Sequence, residues 1–94
     1  MSSVVAFHFW SPTCAPCKTI KPSVEALKED FEQVEWRSVN THADPDGYAQ
    51  AFSVTMVPTI VVTQRQSDGS LRVVGRHTGT EMAQYYRILR TALR

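Results

Sequence analysis

From Val4 to Trp10 the chain reads Val-Val-Ala-Phe-His-Phe-Trp, apolar almost throughout, the pattern of a strand covered on both faces. The period then changes. Ile20, Val24, Leu27 and Phe31 recur at i, i+4, i+7 and i+11, one face of a helix from about Ala15 to Glu32. Pro22 falls inside that helix and removes a backbone donor, which predicts a kink. Val34–Asn40 is a second strand, and so short an αβ connection implies a right-handed βαβ unit with parallel strands. Asp44 as N-cap and Pro45 at the first helical position open a short helix that ends near Phe52. Thr59–Thr63, rich in β-branched residues, is a third strand. The turn Ser67-Asp68-Gly69-Ser70 returns the chain as Leu71–Val74 in a hairpin. Thr78-Gly79-Thr80-Glu81 reads as a capping box before a last helix. That helix carries Met82, Tyr85, Leu89 and Leu93 on one face. Arg87, Arg90 and Arg94 lie toward its C-terminal end, where the helix dipole favours cations. The order is β-α-β-α-β-β-α, an α/β arrangement.

Length and charge narrow the reading. With 94 residues, a single domain over 1–94 with a modest core is expected. A net charge of +1 suggests neither a nucleic acid nor an anionic membrane as partner. No apolar run approaches membrane-spanning length. Met1-Ser2-Ser3 carries no basic n-region, and Val4–Trp10 is followed by Pro12 and Cys14 rather than a cleavage site. The expectation is therefore no signal peptide and a cytoplasmic, reducing compartment. There a C-x-x-C pair is more often catalytic or metal-binding than a structural staple.

Cys14 and Cys17 are the only cysteines, and they sit where the first strand gives way to the first helix. A helix N-terminus offers unpaired N–H groups and the positive end of a dipole, so a thiolate there is stabilised. Lys18 adds a positive charge. This is the setting of a thiol–disulfide exchange nucleophile. Half of a zinc site, or an inert pair of small hydrophobes, would leave the same signature. Zinc needs four ligands, and His8, His42 and His77 show no C-x-x-C or H-x-x-H partner spacing.

Three markers carry a family resemblance: Trp10 with Cys14-Ala15-Pro16-Cys17 and Lys18, then Val57-Pro58-Thr59, then Val74-Gly75. In that order and at that spacing they resemble the thioredoxin family, from Val4 to the end. The resemblance implies a thioredoxin-like fold in its minimal form, a four-stranded mixed sheet flanked by helices. The strand Val34–Asn40 then lies at an edge, because the strand and helix that usually precede the active-site strand find no room before Val4. It implies a dithiol–disulfide oxidoreductase that reduces protein disulfides, with Cys14 as nucleophile, Cys17 as resolving thiol and no cofactor beyond their disulfide. A thioredoxin reductase-like or other thiol reductant would recharge the pair. Substrate would be met by Trp10, Thr13, Ala15, Pro16, Val57, Pro58 and Gly75. A cis bond before Pro58 would free the Val57 backbone to pair with an extended segment, and Gly75 would close the groove. From the residues alone, Pro58 is a strand-start proline and Trp10 a core residue. Trp36, Tyr85 and Tyr86 read as packing.

The chain departs from the family pattern at several positions. Thr13 replaces a second tryptophan, so the docking surface is smaller and more polar. Ala15 replaces glycine. Proline follows Ala15 instead of the first cysteine, unlike glutaredoxins, which argues against glutathione as main substrate. His8 stands where the family buries an acid beneath the second cysteine, and Ser38 where it often keeps a lysine. His8 is thus expected to be buried, neutral near pH 7, within water-mediated reach of Cys17, and a candidate proton acceptor. The rival reading is a thioredoxin-fold binding module with little redox activity; an oxidase or isomerase would need an oxidising compartment. A monomer is expected.

Overall fold

Seven residues with one polar member form the strand from which the sheet is built, β1 (Val4–Trp10). The computed structural model describes residues 3–94. Met1 and Ser2, read above for a leader, lie outside them. β1 is followed by α1 (Ala15–Asp30), β2 (Glu35–Asn40), α2 (Tyr48–Ala51), β3 (Thr59–Arg65), β4 (Leu71–Thr78) and α3 (Met82–Ala92). The strand order is β2-β1-β3-β4. β1 pairs parallel to β2 and antiparallel to β3, and β3 pairs antiparallel to β4. The four-stranded mixed sheet and the edge position of β2 agree with the sequence reading.

Alternation along β1 explains why its sequence shows almost no polar face. Val4 and Ala6 pack against Ile20, Val24 and Leu27 of α1 and Tyr85 and Leu89 of α3. Val5, Phe7 and Phe9 point the other way, toward Val39, Val61 and partly buried Tyr48 and Phe52. A strand flanked by two separate cores needs apolar residues at successive positions. α1 runs as one helix through Pro22.

Two helix starts differ from the reading. α2 begins at Tyr48, not at Pro45, because Gly47 serves as N-cap with φ 70°. Asp44 still caps this helix, from farther out: its carboxylate accepts from the Tyr48 and Ala49 amides at 3.1 and 2.9 Å. The capping box at Thr78 does not form. β4 continues through Gly75 to Thr78, whose hydroxyl meets that of Thr59 at 2.8 Å. Glu81 turns instead to His77 Nε2 at 2.7 Å. Neither residue is left to bond a helix N–H, and α3 starts with Glu81 as an N-cap whose side chain caps no helix amide. The apolar face of α3 is as expected, with Tyr85 and Leu89 fully buried.

Candidate active site

β1 ends at Trp10, and a four-residue turn carries the chain to the N-terminus of α1. The Cys14 amide donates to the Ser11 carbonyl at 3.2 Å, which closes that turn. Cys14 is the N-cap of α1, in extended conformation, and its sulfur accepts from the Cys17 amide at 3.1 Å. One of the orphan donors of the helix start is thereby aimed at the sulfur. The spacing of three then places Cys17 one turn on, and the two are joined as a disulfide with Cα atoms 5.2 Å apart. Pro16, in the first turn of α1, has no N–H to leave unsatisfied there. When the bond is reduced, the same amide and the helix dipole favour a thiolate on Cys14.

Depth distinguishes the two cysteines: Cys17 is 6% exposed, whereas Cys14 is half-buried and open to an incoming disulfide. Thr13, Ala15, Pro16 and Lys18 around them are exposed. The segment before β3 approaches from the other side. Cys14 Sγ lies 3.7 Å from the Val57 carbonyl oxygen, and the Val57–Pro58 bond is cis. The Thr59 hydroxyl donates to the Met56 carbonyl at 2.6 Å and the Gly79 amide to the Pro58 carbonyl at 2.9 Å, so this segment is tied at both ends. Trp10 is half-buried, and its indole N–H donates to Ser38 Oγ at 2.8 Å, fixing the ring beside the cavity that Cys17 also lines.

Gly75 is not part of this cluster. It lies within β4 opposite Val62, and an added Cβ would come 2.5 Å from Ile88 Cγ2 of α3. Its small size serves helix packing instead of a groove. The glycine beside Pro58 is Gly79, with φ +134°, a conformation nearly restricted to glycine. Its signal in the sequence was its place between an extended strand and a helix, which the capping-box pattern obscured.

His8 sits on β1 opposite Ser38 of β2 and Ile60 of β3. It is 6% exposed, and its Nε2 has no hydrogen-bond partner among the described residues. A buried polar atom left unpaired costs on the order of 1–3 kcal/mol. Burial lowers its pKa to about 4, and the positive charge of Lys28 acts in the same direction, so the ring is neutral at pH 7. His8 and Cys17 line one cavity. Among the described residues, no group of three or more His, Cys, Asp or Glu is placed to hold a metal ion. Among the same residues, no helix is long and apolar enough to cross a membrane.

A family model described as Thioredoxin matches residues 1–87. Among solved structures, that of Fasciola hepatica thioredoxin is 31% identical, covering 95% of this chain and 81% of its own, with a TM-score of 0.75. Spinach chloroplast thioredoxin f (long form) superposes with a TM-score of 0.83 at 22% identity, over 99% of this chain and 73% of its own, a likeness of fold. In sequence, thioredoxin M4, chloroplastic, of Arabidopsis thaliana is 31% identical over 77 residues, 79% of this chain and 39% of its own length. Thioredoxin of Streptomyces clavuligerus is 37% identical over 60 residues, 64% of this chain and 55% of its own. The chain thus spans about half the length, or less, of these sequence relatives.

Proposed function

The chain belongs to the thioredoxin family, and from that premise we propose that it is a dithiol–disulfide oxidoreductase that reduces protein disulfides through Cys14 and Cys17. The observation that carries the reading is the pair itself: an accessible sulfur on a helix N-terminus with a shielded partner one turn away. In the first step Cys14 thiolate attacks one sulfur of a substrate disulfide. That bond breaks, a substrate thiolate leaves, and a mixed disulfide forms. Cys17 then loses its proton and attacks Cys14 Sγ, releasing the second substrate thiolate and closing Cys14–Cys17. Two electrons pass from the dithiol to the substrate.

Trp10, Thr13, Ala15 and Pro16 would meet the substrate around Cys14, with Val57 and Pro58 opposite. Gly79 takes the place first given to Gly75. A thiol reductant recharges the pair. One structural neighbour is described in a complex with ferredoxin:thioredoxin reductase, which supports a reductase as the class of partner. A reductant works in a reducing compartment, and the cytoplasm is the one we propose, with a part in electron transport and redox homeostasis.

His8 is the proposed proton acceptor for Cys17. Its position favours the role and its basicity opposes it. Transfer from an ordinary thiol near 8.5 to a base near 4 is uphill by roughly 6 kcal/mol. The thiolate formed in the same cavity attracts the imidazolium and offsets part of that.

Reduction of insulin by the protein, with dithiothreitol as electron source, tests the reading. Precipitation faster than with dithiothreitol alone, abolished by Cys14→Ser, is the expected result. No acceleration would instead favour a binding module built on the same fold.

A further inference from the structure

A cavity of about 290 Å³ lies behind the disulfide, lined by residues of α1, β1 and β2. Its volume falls just below the usual range of small-molecule sites, about 300 Å³ upward, which suits only a small ligand. Its chemistry has two halves. The Trp10 ring and the side chain of Val24 give it an apolar wall, and the indole is held in place by Ser38. Lys18, Lys21 and Lys28 line it as well, against a single carboxylate, Glu25. Glu25 reaches Lys28 at 3.8 Å, so Lys18 and Lys21 have no ion-pair partner among the described residues. A third observation is independent of charge: His8 lines the same cavity, 94% buried by its 6% exposure, with Nε2 unpartnered. Buried polar atoms in native proteins are nearly always bonded, so an orphan against a cavity points to an occupant that bonds it.

We propose that this cavity binds a small organic carboxylate, and that its occupancy is coupled to the redox state of Cys14–Cys17. The apolar body of the ligand lies against Trp10 and Val24, and its carboxylate faces the unpaired ammonium groups of Lys18 and Lys21 and accepts from the Nε2–H of neutral His8. An inorganic oxyanion would satisfy the lysines but leave the apolar wall uncovered. A neutral ligand would do the reverse. Coupling follows from charge. Cys17 lines the cavity, and reduction puts a thiolate on the adjoining Cys14, Cα atoms 5.2 Å apart, where the disulfide carries no charge. The anion therefore binds the oxidised form more tightly, and by linkage it makes the pair harder to reduce. The coupling, though not the site, rests on the redox role given to the pair above.

Benzoate, benzamide and inorganic phosphate distinguish the parts of this proposal when titrated into the oxidised full chain. The readouts are the His8 ring resonances and Trp fluorescence. For so small a ligand, a benzoate Kd on the order of 1–10 mM is expected. Benzamide should bind about tenfold more weakly, and phosphate should leave the His8 ring unshifted. Lys21→Gln should weaken benzoate alone, with circular dichroism confirming the fold. Equal affinity for benzoate and benzamide overturns the anion site, as does an equal His8 response to phosphate. A saturating benzoate response in Trp fluorescence that leaves the His8 ring unshifted, or no response at ten times the expected Kd, overturns the cavity itself. Saturating benzoate should also move the reduction potential about 30 mV more negative for a tenfold preference for the oxidised form. Equal binding to both forms ends the coupling. The titrations use no substrate, so their failure is separate from any failure of disulfide reduction.

Discussion

At the scale of residues, Cys14 and Cys17 differ in depth, and that difference assigns their order of reaction. Cys14 is half-buried and Cys17 is 6% exposed. Cys17→Ser should therefore accumulate mixed disulfides through Cys14 with protein substrates, seen on non-reducing gels and located by peptide mass. Adducts on another residue, or none where the wild type turns over, would reverse the assignment. His8 carries two predictions. As proton acceptor, it should speed resolution of the mixed disulfide. His8→Ala, checked for folding, should resolve about tenfold or more slowly, with a changed pH profile. An unchanged rate across pH reduces it to a core residue. The second prediction concerns stability. The folded pKa near 4 lies below the ordinary 6.5, so between these values the unfolded chain binds more protons and stability rises with pH. Its contribution is fully present above about 6.5 and lost as pH falls toward 4. Wild type should lose up to about 3 kcal/mol more than His8→Gln between pH 7 and 4, measured by urea unfolding. The acidic side chains common to both proteins cancel in that comparison.

At the scale of elements, what could be read from the sequence was what a single local signal controls. β1 is apolar for seven residues, and α1 shows one clean face; both appear where their patterns place them. The C-x-x-C junction was legible for the same reason, since a strand followed by a helix start fixes where both sulfurs stand. Boundaries decided by competition between partners were not legible. Thr78 and Glu81 have the composition of a capping box, but Thr59, 19 residues away, claims the first side chain, and His77, at i−4, competes with the helix N–H groups for the second in a way the Thr-x-x-Glu pattern does not weigh. The mistaken role of Gly75 has the same origin: β4 runs on past Val74 to Thr78, and the glycine beside Pro58 is then Gly79. The two glycines should therefore respond differently to a methyl group. Gly75→Ala overpacks against Ile88 and should cost about 1–3 kcal/mol in urea unfolding, with insulin reduction intact in the folded fraction. Ile88→Ala, which removes both γ-carbons that crowd the new methyl, should make the double variant's loss smaller than the sum of the two single losses. Gly79→Ala imposes a side chain at φ +134°, at a similar cost of roughly 1–3 kcal/mol, and should also slow insulin reduction by disturbing the Pro58 segment. Equal effects on activity would remove this distinction.

At the scale of the whole molecule, the sheet has two open edges, β2 and β4, and an open edge is a template for another chain. Both are protected in ways the sequence shows only once the strand order is known. On β2, Glu35 holds Arg37 at 2.7 Å and Arg65 of β3 at 3.1 Å, a charged cluster beside the edge. Bringing a second strand against it would desolvate those charges, which opposes pairing. β4 carries Arg72 and the adjacent Arg76 and His77 among smaller residues, and the register slips between Val62 and Thr63 of its neighbour. A bulged, basic strand twists its edge away and repels a copy of itself. Neither edge favours self-association, so the protein should behave as a monomer of 10.6 kDa in sedimentation equilibrium at tens of micromolar and ordinary salt. If β2 is the edge held apart by charge, Glu35→Leu with Arg37→Leu should promote a dimer; a stable dimer of the unaltered chain would show that its charges do not guard this edge.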